Sequence, residues 1–90
     1  MFNILVVDDE KKMRHLLAIM LNRNGYDVDQ AEDGQQALEM IQNQVYDLII
    51  TDIKMPRLDG HGLLKRMKEE RIECPVIFIK KLEPKTRQTF

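Results

Sequence analysis

The chain has 90 residues, of which 43% are hydrophobic and 32% are charged, and its formal net charge at pH 7 is −1. This length allows one small domain, and the balanced charge argues against direct nucleic-acid binding through a broad basic surface. No apolar run is long enough for a membrane span or a signal sequence, so no membrane contact is expected. The single cysteine, Cys74, excludes an internal disulfide and is expected to be a buried, unreactive thiol. We therefore expect a cytoplasmic protein.

The first predicted elements are a strand and an amphipathic helix. Ile4-Leu5-Val6-Val7 is a continuous apolar run, which is typical of a strand covered on both faces. After the acidic triplet Asp8-Asp9-Glu10, a helix is predicted from Lys11 to a stop signal at Asn24-Gly25. Its predicted inward face consists of apolar residues at helical spacing: Met13, Leu16, Leu17, Met20 and Leu21.

The middle of the chain predicts a second strand, a second helix and a third strand. Tyr26 to Glu32 is a weaker strand pattern, and Asp33-Gly34 then turns the chain into a helix. That helix is expected to place four apolar residues on one side: Ala37, Leu38, Ile41 and Val45. Leu48 to Thr51 is a second fully apolar strand and leads directly into Asp52.

The last predicted elements are a third helix and a fourth strand. Asp59 is the expected N-cap of a helix that turns Leu63, Leu64 and Met67 inward, and Pro75 to Ile79 is the fourth strand. Strands that alternate with helices predict βαβ units, hence an α/β fold with a parallel sheet and helices on both faces. Residues 81–90 follow neither period, so we expect a domain at residues 1–80 and an irregular C-terminal tail.

Three acids follow two of the predicted strands. Asp8 and Asp9 follow the first strand, and Asp52 follows the third. Parallel α/β sheets bind ligands beyond the carboxyl ends of their strands, so these acids should converge. Carboxylates that converge repel one another unless a cation lies between them, and oxygen-only ligands favour Mg²⁺. Capping of the first helix is the alternative role for these acids; it suits Glu10 but does not explain Asp52.

A carboxylate beside Mg²⁺ can also attack phosphorus and accept a phosphoryl group covalently. An aspartyl-phosphate phosphohydrolase would use the same acids, but it would need a second acid two residues after Asp52, where Lys54 stands.

Three stretches together resemble a known family. VVDDE at Val6–Glu10, TDIKMPRLDG at Thr51–Gly60 and PVIFI at Pro75–Ile79 closely resemble the receiver domain of two-component response regulators, in the right order over about residues 3–79. The resemblance implies a flavodoxin-like (CheY-like) α/β fold with strand order 2-1-3-4-5. It also implies a signalling domain that assists its own phosphoryl transfer, rather than an enzyme.

The resemblance assigns roles to individual residues. It implies that Asp52 is phosphorylated from a histidine kinase or a phosphotransfer protein. It implies that Asp8 and Asp9 form an acidic pocket and that the backbone carbonyl of Lys54 completes the Mg²⁺ shell with Asp52.

The chain also departs from the family pattern. Lys80 stands where a Ser or Thr normally ends the fourth strand, and the fourth helix, fifth strand and fifth helix, with their lysine, have no counterpart. The sequence thus predicts a receiver truncated to about four strands and three helices. Lys80 or Lys81 is either a substitute cation near Asp52 or simply a solvated strand end, and phosphorylation is expected to be slow.

The truncation suggests two further hypotheses. A receiver-like module that no longer signals by phosphorylation and acts by association is the rival function. The second is a homodimer, joined through the exposed edge of the fourth strand or by exchange of C-terminal segments. Loss of a fifth helix would also uncover Leu16, Leu17 and Met20 on the first helix, which favours association.

Overall fold

A computed structural model of the chain describes residues 1–80. Within them, strands and helices alternate as predicted: β1 (Asn3–Val7), α1 (Lys11–Arg23), β2 (Asp27–Ala31), α2 (Gly34–Asn43), β3 (Leu48–Asp52), α3 (Gly60–Glu69) and β4 (Val76–Ile79). All neighbouring strands are parallel, and their order is β2-β1-β3-β4. The predicted parallel α/β architecture is confirmed, and the order of these four strands agrees with the first four positions of the expected order 2-1-3-4-5. The predicted tail at residues 81–90 lies outside the described residues.

The central strand β1 is covered on both faces, as its continuous apolar run predicts. Ile4 is 2% exposed, and the next three residues of β1 are fully buried. Leu5 and Val7 belong to a core cluster with buried residues of α2 and α3. Because side chains alternate along a strand, Ile4 and Val6 face the other side, where α1 packs on β1 and β2. The helices therefore lie on both faces of the sheet.

The N-termini of α2 and α3 are capped by aspartates. The side chain of Asp33 accepts a hydrogen bond of 2.8 Å from the backbone N–H of Gln36, and Asp59 accepts one of 2.8 Å from Gly62. The predicted cap at Asp59 is thus confirmed. Glu10 occupies the N-cap position of α1, as predicted, although its side chain makes no capping hydrogen bond.

Two predicted core assignments are wrong. Val45 is 83% exposed because α2 ends at Asn43 and the chain has left the helical path before Val45. On α1 the residue buried against the sheet is Ala18, which is 3% exposed, whereas Leu16 and Met20 are 53% and 52% exposed. A small side chain at the contact lets the helix approach the sheet closely, and the larger residues flank the contact. Leu17 is half-buried.

Cys74 is half-buried rather than fully buried. Its thiol donates a hydrogen bond of 3.2 Å to the backbone carbonyl of Tyr46. Burial raises the pKa of the Cys74 thiol, and the nearby negative charge of Asp47 raises it further. A protonated thiol is a poor nucleophile, which supports the expectation of an unreactive cysteine.

None of the helices in residues 1–80 combines the length and apolar character that a bilayer crossing requires.

Candidate metal centre

Strand register brings the predicted acids together. β1 and β3 are neighbours, and Val7 pairs with Thr51 in their parallel register. The next residue on each strand is therefore an acid, Asp8 on one and Asp52 on the other. Each of Asp8, Asp9 and Asp52 offers a carboxylate oxygen, and these oxygens all lie within 4.8 Å of one another. The structure thus assembles the three predicted acids at the carboxyl edge of the sheet.

Asp8 is held rigidly at the floor of this cluster. Its side chain is fully buried, and its Oδ1 accepts a hydrogen bond of 2.9 Å from the backbone N–H of Glu10. Its own N–H donates to the carbonyl of Ala31 at 3.1 Å, which continues the ladder to β2. Its carbonyl accepts a hydrogen bond of 2.8 Å from Nη1 of Arg14. These contacts fix the carboxylate before any ligand arrives.

Asp52 is the last residue of β3 and is 6% exposed. Its Oδ1 accepts a hydrogen bond of 2.8 Å from the N–H of Ile53, which sets the rotation of the carboxylate. Its backbone lies so close to the start of α3 that a Cβ on Gly60 would stand 2.5 Å from the Asp52 carbonyl oxygen. Gly60 also donates a 2.8 Å hydrogen bond to the Ile53 carbonyl. Only glycine fits this contact, so the role of Gly60 is to allow close packing of the two backbones.

Asp9 gives the cluster an open side. Its side chain is exposed, whereas those of Asp8 and Asp52 are buried. Asp9 also lines an open groove of about 450 Å³ together with Glu32, Asp33, Pro56 and Arg57. An incoming ligand therefore reaches the buried acids from the Asp9 side.

The two predicted lysine positions flank the cluster. Lys54 lies two residues after Asp52, in the loop between β3 and α3, and its side chain is exposed. Lys80 is exposed and follows β4 directly. Since Ile79 pairs with Asp52 in the β3–β4 register, Lys80 leaves the sheet at the level of the acids.

The donor set fits a hard divalent cation. All three side chains of the cluster offer carboxylate oxygen, and the cluster contains no His or Cys. Mg²⁺ takes one or two carboxylates and keeps several waters, and the exposed Asp9 side leaves room for them. The acids present therefore fit a Mg²⁺ site.

An ion pair that the sequence did not predict lies beside the cluster. Both Nε and Nη2 of Arg57 contact Oδ2 of Asp33, with Nε at 2.9 Å. Burial acts to raise the pKa of Asp33, but hydrogen bonds from Gln36 and Arg57 outweigh it and hold that pKa below its usual value. The sequence placed Asp33 only at the entrance to a helix. No local pattern signals a partner 24 residues away.

Comparison with known proteins identifies the family. The family model described as the response regulator receiver domain matches residues 4–88 of the chain. The chain belongs to this family. The match includes residues 81–88, which lie outside the described part of the structure.

Individual relatives agree with this receiver-domain assignment. The chain is 46% identical to the sensor protein EvgS of Escherichia coli over 74 residues, which are 82% of this chain and 6% of that protein. It is 42% identical to the transcriptional regulatory protein DltR of Streptococcus agalactiae over 76 residues, 84% of this chain and 34% of that protein. The chain thus spans about a third of DltR and much less of EvgS.

A solved structure of a response regulator supports the fold. The response regulator TrrA of Thermotoga maritima, solved in complex with Mg²⁺-BeF, superposes with a TM-score of 0.83 at 38% identity, covering 89% of this chain and 70% of that one. The predicted flavodoxin-like fold and receiver-domain function are therefore confirmed. A receiver is a signalling domain of two-component systems rather than a classical enzyme, and the rival reading as a degenerate association module gains no support.

Proposed function

We propose that Asp52 of this receiver domain accepts a phosphoryl group in a Mg²⁺-dependent reaction. The observation that carries the proposal is the convergence of Asp8, Asp9 and Asp52, whose carboxylate oxygens lie within 4.8 Å of one another at the end of β3. Asp52 is the proposed acceptor because it is the position that the family resemblance assigns, its carboxylate accepts a hydrogen bond from the N–H of Ile53, and its backbone lies against Gly60. A fixed nucleophile loses little entropy when the donor arrives.

The transfer is a displacement at phosphorus. One carboxylate oxygen of Asp52 attacks the phosphorus of a phosphohistidine that is protonated on its other ring nitrogen. The new P–O bond forms as the P–N bond breaks, and the bonding electrons stay on the nitrogen of the leaving neutral imidazole. The product is an aspartyl phosphate on Asp52 and a neutral histidine on the donor. The domain thereby assists its own phosphorylation.

The proposed metal ligands are the carboxylates of Asp8, Asp9 and Asp52 and the backbone carbonyl of Lys54. When bound there, Mg²⁺ supplies positive charge that offsets the repulsion between the acids and the transferring phosphoryl group. Asp8 is the most rigid of these ligands because hydrogen bonds hold both its side chain and its backbone. The exposed Asp9 borders the groove through which we propose that the donor enters.

Lys80 is the proposed second cation of the site. It follows Ile79, the register partner of Asp52, and its exposed side chain starts from the same edge of the sheet as the acids. An ammonium group placed there would stabilise the charge on the transferring phosphoryl group.

The proposed phosphoryl donor is a histidine kinase or a phosphotransfer protein. Support comes from the family assignment and from the similarity to the sensor protein EvgS and the regulator DltR. The proposed compartment is the cytoplasm, which agrees with a single reduced cysteine, Cys74.

A second candidate property is self-association through β4. Within residues 1–80, β4 pairs with β3 alone and forms an edge of the sheet, and its Ile77 is 51% exposed. Half-exposed Leu16 and Met20 add apolar surface on α1. We propose that two copies of this chain join through these surfaces. Light scattering at micromolar concentration is expected to give the mass of a dimer, and a stable monomer would contradict this.

Intact-mass spectrometry tests the phosphoacceptor function. The parent chain and the variants D52N and D59N are each incubated with acetyl phosphate and Mg²⁺, and their intact masses are then measured. The parent and D59N are expected to gain the mass of one phosphoryl group, because Asp59 is exposed and caps α3 instead of joining the acid cluster. D52N is expected to gain nothing. Equal labelling of D52N and the parent would refute the proposal.

A further inference from the structure

The loop between β3 and α3 contains a residue in an unfavourable backbone conformation. Arg57 has φ of 69°, in the left-handed region that residues with a side chain rarely adopt. Such a conformation persists only where the surrounding contacts determine it. The contacts of Arg57 therefore point to what this loop must achieve.

The first contact is the ion pair with Asp33 at the start of α2. The Asp33 side chain is 3% exposed, whereas the Arg57 side chain is 67% exposed. Asp33 is itself fixed, because it caps α2 by accepting the N–H of Gln36 at 2.8 Å. The buried acid is thus the anchor, and the arginine reaches it from the solvent side.

The second contact joins the next residue of each segment. A Cβ on Gly34 would lie 1.9 Å from the carbonyl oxygen of Leu58, so the backbones of the two segments touch. Arg57 and Leu58 are therefore held against Asp33 and Gly34, two consecutive residues against two. At the base of the loop, Gly60 donates a 2.8 Å hydrogen bond to the carbonyl of Ile53.

The held loop is the one that carries the proposed metal ligands. Asp52 precedes it, and Lys54 lies three residues before Arg57. The groove beside Asp9 is lined by both members of the ion pair, so the pair adjoins the acid cluster. Any loop movement at Arg57 is therefore transmitted over a short stretch of chain to Asp52 and Lys54.

We propose that Arg57 is a positioning residue: its ion pair with Asp33 holds the loop in the one conformation that presents Lys54 and Asp52 to Mg²⁺. The inference rests on the proposed function, since it concerns the same metal site. Residues that orient metal ligands from outside typically change metal affinity by about 10- to 100-fold when they are replaced. Loss of the ion pair is therefore expected to weaken Mg²⁺ binding by about tenfold.

A purely electrostatic role for Arg57 predicts a different pattern. Arg57 is a cation that lines the same groove as Asp9, one of the three acids, so its removal would strengthen Mg²⁺ binding through charge alone. By the same electrostatic argument, removal of the negative charge on Asp33 would weaken Mg²⁺ binding. Positioning predicts that both changes weaken binding, because each breaks the same ion pair.

Calorimetric titration with Mg²⁺ separates the two roles. The variants are R57Q, D33N, the charge-balanced double variant and R66Q. Asparagine at position 33 still caps α2, so D33N removes the ion pair without removing the cap. R66Q is the matched control, because Arg66 also pairs with an acid, Glu70 at 2.9 Å, but on the surface of α3.

R57Q and D33N are each expected to bind Mg²⁺ more weakly than the parent. The double variant should lose no more affinity than the more affected of the two single variants, and R66Q should bind Mg²⁺ as the parent does. Unchanged or tighter binding by R57Q would overturn the inference and leave the proposed function standing. Absence of Mg²⁺ binding by the parent would overturn the proposed function as well.

The variant R57G distinguishes positioning from general stability. Glycine adopts the left-handed conformation without strain, so R57G loses the ion pair but relieves the backbone. We expect R57G to bind Mg²⁺ more weakly while its melting temperature stays close to that of the parent. Amide hydrogen exchange in the metal-free protein should be faster in residues 53–59 of R57G. Parent-like exchange together with parent-like Mg²⁺ affinity would overturn the inference.

Discussion

Replacement of Gly34 by alanine is expected to destabilise the domain even though alanine favours helices. Gly34 is the first residue of α2. A Cβ there would stand 1.9 Å from the carbonyl oxygen of Leu58 and 2.7 Å from the carbonyl carbon of the same residue. Real Cβ contacts essentially never fall below 3.0 Å. Because the obstacle is backbone, α2 and the loop after β3 must move apart.

The size of the effect follows from two opposing contributions. Overpacking that forces a backbone shift typically costs about 1–3 kcal/mol, and a contact this short belongs at the upper end. Alanine returns at most about 1 kcal/mol of helix propensity. The expected net loss is about 2 kcal/mol, and a domain of this size loses about 4–8 °C of melting temperature per kcal/mol. The melting temperature should therefore fall by roughly 8–16 °C.

Gly62 provides the matched control for this experiment. A Cβ on Gly62 would meet Cδ1 of Leu58 at 2.7 Å, which is the far end of a flexible side chain that can rotate away. Urea unfolding monitored by circular dichroism should show that G34A loses about 2 kcal/mol of unfolding free energy relative to the parent. For G62A the unfolding free energy should change by less than about 1 kcal/mol. Equal stabilities of G34A and G62A would refute the close-packing argument.

Other predictions concern the metal, the ion pair, the lysine and the thiol. Mg²⁺ at 100 times its Kd should raise the free energy of unfolding by about 2.7 kcal/mol and raise the melting temperature accordingly. Calorimetry should show a smaller gain for D52N, and no effect of Mg²⁺ on the melting temperature of the parent would contradict the acid site. Folding lowers the pKa of Asp33, so the ionised carboxylate stabilises the folded protein. This contribution to the free energy of unfolding is complete above the unfolded pKa of 3.8 and is lost as the pH falls through the lower folded pKa. The stability difference between the parent and D33N in urea should therefore shrink below pH 3.8, and a constant difference would refute this. K80A should be phosphorylated by acetyl phosphate at least about tenfold more slowly than the exposed-lysine control K65A, and equal rates would exclude a role for Lys80. Cys74 should react with iodoacetamide much faster in urea than in the folded protein, because burial raises its pKa, and equal rates would show an accessible thiolate.

Much of the fold follows from local patterns in the sequence. The uninterrupted apolar run in β1 predicts a strand covered on both faces, and the structure buries Ile4–Val7 almost completely. The buried face of α1 could not be predicted as well, because periodicity identifies an apolar face but not how closely the helix approaches the sheet. The small Ala18 makes the contact, and the larger Leu16 is half-exposed.

The acid cluster was predictable, but the contacts that hold its loop were not. Parallel strands end at a common edge, so acids that follow β1 and β3 must come together there. The Asp33–Arg57 pair depends on the path of a loop, and Arg57 adopts a left-handed conformation that its residue type does not signal. The backbone contact at Gly34 is likewise a tertiary feature, since a glycine at the start of a helix looks like an ordinary turn residue in the sequence.

The phosphoacceptor role of Asp52 is tested most directly by locating the phosphoryl group after labelling with acetyl phosphate and Mg²⁺. Borohydride converts an aspartyl phosphate into a stable alcohol, and peptide mass spectrometry then identifies the modified residue. We expect modification at Asp52 alone, with none when Mg²⁺ is removed by a chelator. Modification at another residue, or equal modification of Asp52 without Mg²⁺, would contradict it.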